Sequence, residues 1–253
     1  MKNVKQSFSW WCFEKRGVEP ITLLREAKKI GYKGVEYLPP EFWDEAENIG
    51  LSILNIAGHS PLERGFNNLE NHGFLNIEVV KQLELASKYK IAYITVFAGN
   101  RNGIDDEIGL ANTVIGLKRV IPQAEKLGVT LVLELLNSKI DHPDHQCDRT
   151  LWGVAVCEII NSPNLKLLYD IYHMQVMEGD VIHTIQNHLD RIAHLHTAGV
   201  PSRNDIDGTQ ELNYAAIVRA VVDSGYDGYI GHEFLPKGEP LTALKGAYQI
   251  CNI

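Results

Sequence analysis

A chain of 253 residues, 45% hydrophobic and 22% charged, has the ordinary composition of a globular protein and enough length for one barrel or two small domains. Its formal net charge of −8 argues against a broad, sequence-independent grip on nucleic acid. Cys12, Cys147, Cys157 and Cys251 form no C-x-x-C pair, so neither a disulfide framework nor a thiolate zinc site is indicated.

The start, MKNVKQSFSWW, lacks the continuous apolar stretch of a leader peptide, and no run approaches the roughly 20 apolar residues of a membrane span. The expectation is a soluble, cytoplasmic protein with no membrane partner. From there, β-type runs and helical patterns alternate along the chain. Strands are expected at VKQSFS, GVEYL, SILNIAG, AYITVFAG, VTLVLELL, LKLLYDI, IAHLHTA and GYIGHEF. Helical patterns lie between them, including PITLLREAKKIG, LNIEVVKQLELASKYK and LANTVIGLKRVIPQAEKLG. Pro20 suits an early helical position, Gly31 and Gly128 suit helix ends, and Asn213 suits an N-cap before YAAIVRAVVDSG. About eight strand-then-helix units predict a single (β/α)8 barrel domain over residues 1–253. An open doubly wound sheet is the competing architecture, but no G-x-G-x-x-G turn follows the first strand.

Four of these runs end in a residue able to ligate a metal: Glu134, Asp170, His196 and Glu233. They are 36, 26 and 37 residues apart, close to one strand-helix-strand repeat of about 30 or more residues. A barrel gathers the carboxyl ends of its strands at one mouth, so the spacing predicts a single divalent-metal site. Carboxylates with one imidazole and no thiolate favour Mn²⁺ or Mg²⁺, with Co²⁺ or Zn²⁺ also compatible. Such an ion leaves room to chelate a hydroxy-carbonyl substrate and to stabilise charge when the adjacent C–H proton departs. Glu134 and Glu233, on either side of Asp170 and His196, are the natural proton-transfer pair. That chemistry suits aldose–ketose isomerisation or epimerisation of a small sugar or keto-acid.

Each residue also has a plainer explanation. A lone Glu at a strand end is usually a solvated or loop-anchoring group, although Glu134 within LVLELL needs a partner to offset desolvation. Asp170 suits a helix cap. His196 shares a strand face with His194, and its position nearer the loop decides between them. His232 points to the other face and reads as structural. His173, three residues after Asp170, and Arg203, in the loop AGVPSRND, sit where a substrate would lie. His59, after the third strand, and Glu36, within the second, are further candidates, while His142 and His145 read equally well as loop residues without a role. The long connections His59–Gly73 and Asn137–Thr150 both follow strands, which places them on the catalytic face.

The segments LELLN, YDIYHMQ, HLHTAGVPSR, ELNY and GYIGHEF resemble those of the xylose isomerase-like barrel family, and within it the hydroxypyruvate isomerase-like proteins, over essentially the whole length. The resemblance implies metal ligands at Glu134, Asp170, His196 and Glu233, with Glu134 and Glu233 also moving protons. It further implies substrate contacts from His173 and Arg203, and homodimers or homotetramers. Two departures stand out. His196 stands where hydroxypyruvate isomerases usually carry Gln and ketose 3-epimerases carry His, and Ile140 stands where those epimerases have a second Glu. Endonuclease IV-like DNA-repair enzymes of the same superfamily are the rival from another class, but their three-zinc cluster needs an Asp-x-His after strand seven. Here the segment reads SRNDIDGTQ. A metal-dependent lyase on keto-glycosides shares the same proton abstraction.

Overall fold

A computed structural model describes residues 4–253; the first three residues of the amino-terminal segment read above for a leader lie outside them. All eight expected strands form: β1 (Lys5–Ser9), β2 (Gly34–Glu36), β3 (Ser52–Ala57), β4 (Tyr93–Val96), β5 (Thr130–Leu135), β6 (Leu165–Asp170), β7 (Ile192–Thr197) and β8 (Tyr229–His232). They close in sequence order into one barrel, and the registers are parallel. The expected (β/α)8 barrel is therefore the fold, and the open sheet is not.

The expected helix signals act as their chemistry requires. In α1 (Pro20–Ile30), the Glu19 carboxylate accepts from the Ile21 and Thr22 amides and Pro20 fills the first turn. Gly31 follows at φ 131°, a region that side chains rarely enter. The third helical pattern begins earlier than its apolar periodicity suggests. Asp105 caps the Glu107 amide, so the helix runs Asp106–Leu127 before Gly128 ends it. Asn213 caps Tyr214–Asp223 by accepting from the Ala216 amide. Between β6 and β7 the chain carries two short helices rather than one, Ile171–Met177 and Val181–Asn187. No helix among the described residues is long and apolar enough to cross a membrane.

Contacts divide the chain into two compact units. The first takes the chain up to Leu54 with Asp180–Leu189 and His194–Ile253; the second takes Asn55–Gly179 with Asp190–Ala193. The first unit is packed by aromatics: Phe8 meets Phe13 and Tyr32 edge-on at 5.8 and 5.5 Å, and Phe13 meets Phe234 at 5.4 Å. The second is aliphatic. On its central strands Leu131, Val132, Leu133, Leu165, Leu167 and Leu168 are all buried, as a parallel sheet covered on both faces requires.

Three buried histidines are held neutral by burial. Desolvation lowers His145 and His232 to about 3 and His59 to about 4. Below about pH 6.5 the unfolded chain takes up protons that these folded rings refuse. Each ring's contribution is thus complete above that pH and lost as pH falls toward its folded value. Between pH 6 and 4.5, His145→Gln should flatten the pH dependence of the unfolding free energy by about 1 kcal/mol per pH unit, measured by urea denaturation. An unchanged slope would contradict a neutral, buried His145.

Candidate metal centre

In the first unit the site grows from a carboxylate on β2. Glu36 is fully buried, and its Oε1 accepts from Ser7 Oγ at 2.7 Å. Its Oε2 accepts from the Nε2 atoms of both His194 and His196 at 2.9 Å. The two imidazoles share a face of β7 because they lie two residues apart. Burial pushes the Glu36 pKa up, but His194 and His196 outweigh it and hold the group well below the usual carboxylate range. Room for this trio comes from Gly231 on β8. A Cβ there would lie 2.3 Å from Glu36 Oε1, 2.8 Å from His196 Cδ2 and 3.0 Å from His194 Nε2.

His196 turns its other nitrogen, Nδ1, to within 3.3 Å of Glu233 Oε2. Glu233 follows the last residue of β8 and is 4% exposed. Its Oε1 accepts from Trp11 Nε1 at 2.9 Å and Ser9 Oγ at 3.2 Å, and its Oε2 accepts from Arg203 Nη2 at 2.6 Å. Desolvation raises the Glu233 pKa, yet His196 and Arg203 prevail and hold it below the ordinary value. Burial acts in the opposite sense on His196, where Glu233 and Glu36 prevail and raise it well above the ordinary value. The imidazole is thus bracketed by two carboxylates. Arg203, expected to face substrate, here lies on Glu233, with its guanidinium 5.5 Å from the Trp11 ring.

The other two expected residues lie in the second unit. Glu134 on β5 and Asp170 at the end of β6 are 4% and 0% exposed and bring carboxylate oxygens within 4.8 Å of each other. Asp170 does cap the helix that follows, its Oδ1 accepting from the Tyr172 amide at 2.8 Å and the His173 amide at 3.3 Å. The cap uses Oδ1, while Oδ2 lies 3.7 Å from His173 Nε2. His59 accepts the Phe97 amide at Nε2 (3.1 Å), which puts its proton on Nδ1, an atom with no hydrogen-bond partner among the described residues. His142 packs its ring 5.3 Å from that of His173, whereas His145 is buried in the loop beneath, where its carbonyl accepts from Arg101.

Glu134, Asp170, His196 and Glu233 all stand at or just past the carboxyl ends of β5 to β8. Three carboxylates and one imidazole are a donor set for a hard or borderline divalent ion. The four cysteines are buried and unbridged, and burial pushes Cys157 and Cys251 up to about 12. What the sequence underrated is Glu36, whose signal was the same as that of Glu134: a carboxylate inside an apolar strand, GVEYL. His232, expected to be structural, is bound to Thr197 Oγ1 and Gln6 Oε1.

The chain belongs to the xylose isomerase-like TIM barrel family, which it matches over residues 24–248. It is 28% identical over 242 residues to hydroxypyruvate isomerase of Escherichia coli (strain K12), covering 89% of this chain and 91% of that protein. It is 38% identical over 117 residues to 2-oxo-tetronate isomerase of Cupriavidus necator, a match spanning 46% of this chain and less than half, 44%, of the relative. Its fold superposes on the family 2 AP endonuclease of Brucella melitensis with a TM-score of 0.82 at 21% identity, covering 95% and 97% of the two chains.

The crowding at Gly231 gives a direct test. Gly231→Ala forces Glu36 and the two imidazoles apart and should cost about 1–3 kcal/mol in chemical denaturation, as overpacking does. Gly238, around which a Cβ meets nothing within 4 Å, provides the control: Gly238→Ala should stay within about 0.5 kcal/mol of the parent.

Proposed function

We propose that this member of the xylose isomerase-like family is a divalent-metal-dependent isomerase of a small sugar or hydroxy-keto-acid, with residues 1–253 acting as one barrel domain. Glu134, Asp170, His196 and Glu233 together hold one ion, Mn²⁺ or Mg²⁺ in preference to Co²⁺ or Zn²⁺. The observation that carries this reading is the recurrence of a buried ligand atom at the carboxyl end of each of four consecutive strands in a closed barrel. The isomerase names of the two sequence relatives support the reaction class.

The donor set fits the ion, because three carboxylates and one imidazole without a thiolate match the ligand preference of a hard or borderline divalent cation. When bound, the ion supplies a Lewis acid that polarises the substrate carbonyl and offsets the charge of an enediolate. The chain's own residues do the rest. One of the two glutamates removes the proton from the carbon beside the carbonyl, leaving its electron pair in the enediolate. A carboxylic acid then returns a proton, to the neighbouring carbon for isomerisation or to the opposite face of the same carbon for epimerisation. Glu134 and Glu233 suit these roles because they come from β5 and β8, on either side of the Asp170 and His196 strands. His59, neutral with its proton on Nδ1, offers a donor to a substrate oxygen without adding charge. His173 offers another, and Arg203, already close to Glu233, adds a fork of donors for a carboxylate or hydroxyls.

The DNA-repair reading is disfavoured by the absence of histidine in SRNDIDGTQ and by the net charge of −8. Likeness at 21% identity speaks for the fold alone.

Mn²⁺-loaded protein incubated in D₂O with hydroxypyruvate and a panel of ketoses should incorporate deuterium at the carbon that loses its proton. Chelation should abolish the exchange and Mn²⁺ restore it. With metal supplied in excess, Glu134→Gln and Glu233→Gln should each lower turnover by about 10²–10⁴-fold. Near-normal turnover of Glu233→Gln at full metal occupancy would rule out the two-carboxylate mechanism. Incision of an abasic duplex by nanomolar protein, lost in Glu134→Ala, would replace the isomerase by a nuclease.

A further inference from the structure

Asn137 lies three residues beyond Glu134, in the sequence Glu-Leu-Leu-Asn, at the start of the long connection after β5. It is fully buried, as is His173. Every polar atom of its side chain is engaged. Oδ1 accepts two backbone amides, from Ile140 at 3.0 Å and Asp141 at 2.9 Å. Nδ2 reaches Asp141 Oδ2 at 2.5 Å and His173 Nδ1 at 2.6 Å.

These four contacts leave only one arrangement of protons. An amide nitrogen carries two hydrogens and accepts none, so it cannot face the Ile140 and Asp141 amides. The oxygen must stand there, and Nδ2 must point the other way. The Asp141 carboxylate is acceptor-only, and it receives the Tyr172 hydroxyl at 2.7 Å as well. One Nδ2 hydrogen therefore goes to Asp141 and the other to His173 Nδ1. A ring nitrogen that accepts an N–H must hold a lone pair, which places the His173 proton on Nε2. The opposite tautomer would oppose two N–H groups 2.6 Å apart in a site closed to water.

We infer that Asn137 is a positioning residue that locks His173 as a neutral Nε2–H donor, through an amide whose own orientation is fixed by the backbone of the 137–141 turn. The inference rests on the proposed function for its purpose: His173 Nε2–H donates to a substrate oxygen, whereas the other tautomer would present a lone pair to that oxygen and repel it. It also gives the 137–150 connection a role beyond length. The turn that begins there sets the hydrogen-bonding polarity of a side chain 36 residues later.

The decisive variant reverses the polarity while keeping the shape. In Asn137→Asp/Asp141→Asn, residue 137 still accepts the two backbone amides, and the 137–141 hydrogen bond survives with donor and acceptor exchanged. Residue 137 now offers only acceptors to His173, so Nδ1 must carry a proton. The readout is the imidazole ¹⁵N spectrum of histidine-labelled, metal-free protein, with His173 assigned from the signals lost in His173→Gln. In the parent, Nδ1 should resonate in the lone-pair range and Nε2 in the N–H range. In the double variant the Nδ1 signal should move to the N–H range. Asp141→Asn alone, which leaves Asn137 in place, should keep the parent pattern. Should the double variant not fold, Asn137→Asp alone carries the same test, because its carboxylate also faces Nδ1. An Nδ1–H ring in the parent, an unshifted Nδ1 in the variant carrying Asp at 137, or a shift in Asp141→Asn alone would each overturn the lock. The measurement uses neither metal nor substrate. A failed lock is thereby distinguished from a failed isomerase assignment, which the deuterium exchange decides separately.

Discussion

Glu36 is a carboxylate buried away from the protein surface, and much of the first unit is arranged around that fact. An isolated charge in such a place is strongly disfavoured, so the group must be met by donors on all sides. It finds them in Ser7, His194 and His196, which come from β1 and β7. The space they need is left by Gly231 on β8. Once Nε2 of His196 is committed to Glu36, the orientation of that ring is set, and Nδ1 turns toward Glu233. A metal-ligating imidazole whose second nitrogen binds a carboxylate is the usual way such a ring is aimed. In the proposed centre, Glu36 does the aiming.

The same barrel holds its histidines in two opposite electrical states, and the difference lies in their neighbours rather than their burial. His59, His145, His196 and His232 are all buried. In three of them desolvation prevails and holds the ring neutral, in His232 even against the pull of Glu36. His196 stands between Glu36 and Glu233, and their attraction outweighs its desolvation. Neutral rings are hydrogen-bond donors of fixed direction, suited to orienting a polar substrate. A ring between carboxylates belongs to the ionic part of the proposed site.

Hydrogen-bond logic extends this division to the loops. His59 takes its tautomer from the Phe97 amide, and His173 takes its own from Asn137. In both cases a backbone amide is the ultimate reference, because its donor character cannot change. The long connection after β5 holds the Ile140 and Asp141 amides that orient Asn137, whereas His59, in the connection after β3, takes its reference from the Phe97 amide just past β4.

Read without a structure, the sequence disclosed the alternation of strands and helices, several helix caps and the four ligand-type residues at strand ends. These follow from local rules: apolar period, the special backbone of Gly and Pro, and the need of a carboxylate inside LVLELL or LKLLYD for a partner. The register of ligand-type residues with strand ends was legible because it repeats once per strand-helix unit. Closure of the barrel and the partnerships across it were decided only in three dimensions. Glu36 and His196 are 160 residues apart, and nothing local to either names the other. His194 and His196 are equivalent in sequence, on one face of one strand; the Tyr229 carbonyl beside one Nδ1 and Glu233 beside the other are what separate them. Asn137 marks only the start of a long connection in the sequence; the folded turn is what places its amide between two backbone donors and an imidazole. Local sequence determines which groups a strand presents at its end, but the proton each group carries depends on partners that only the closed chain brings near.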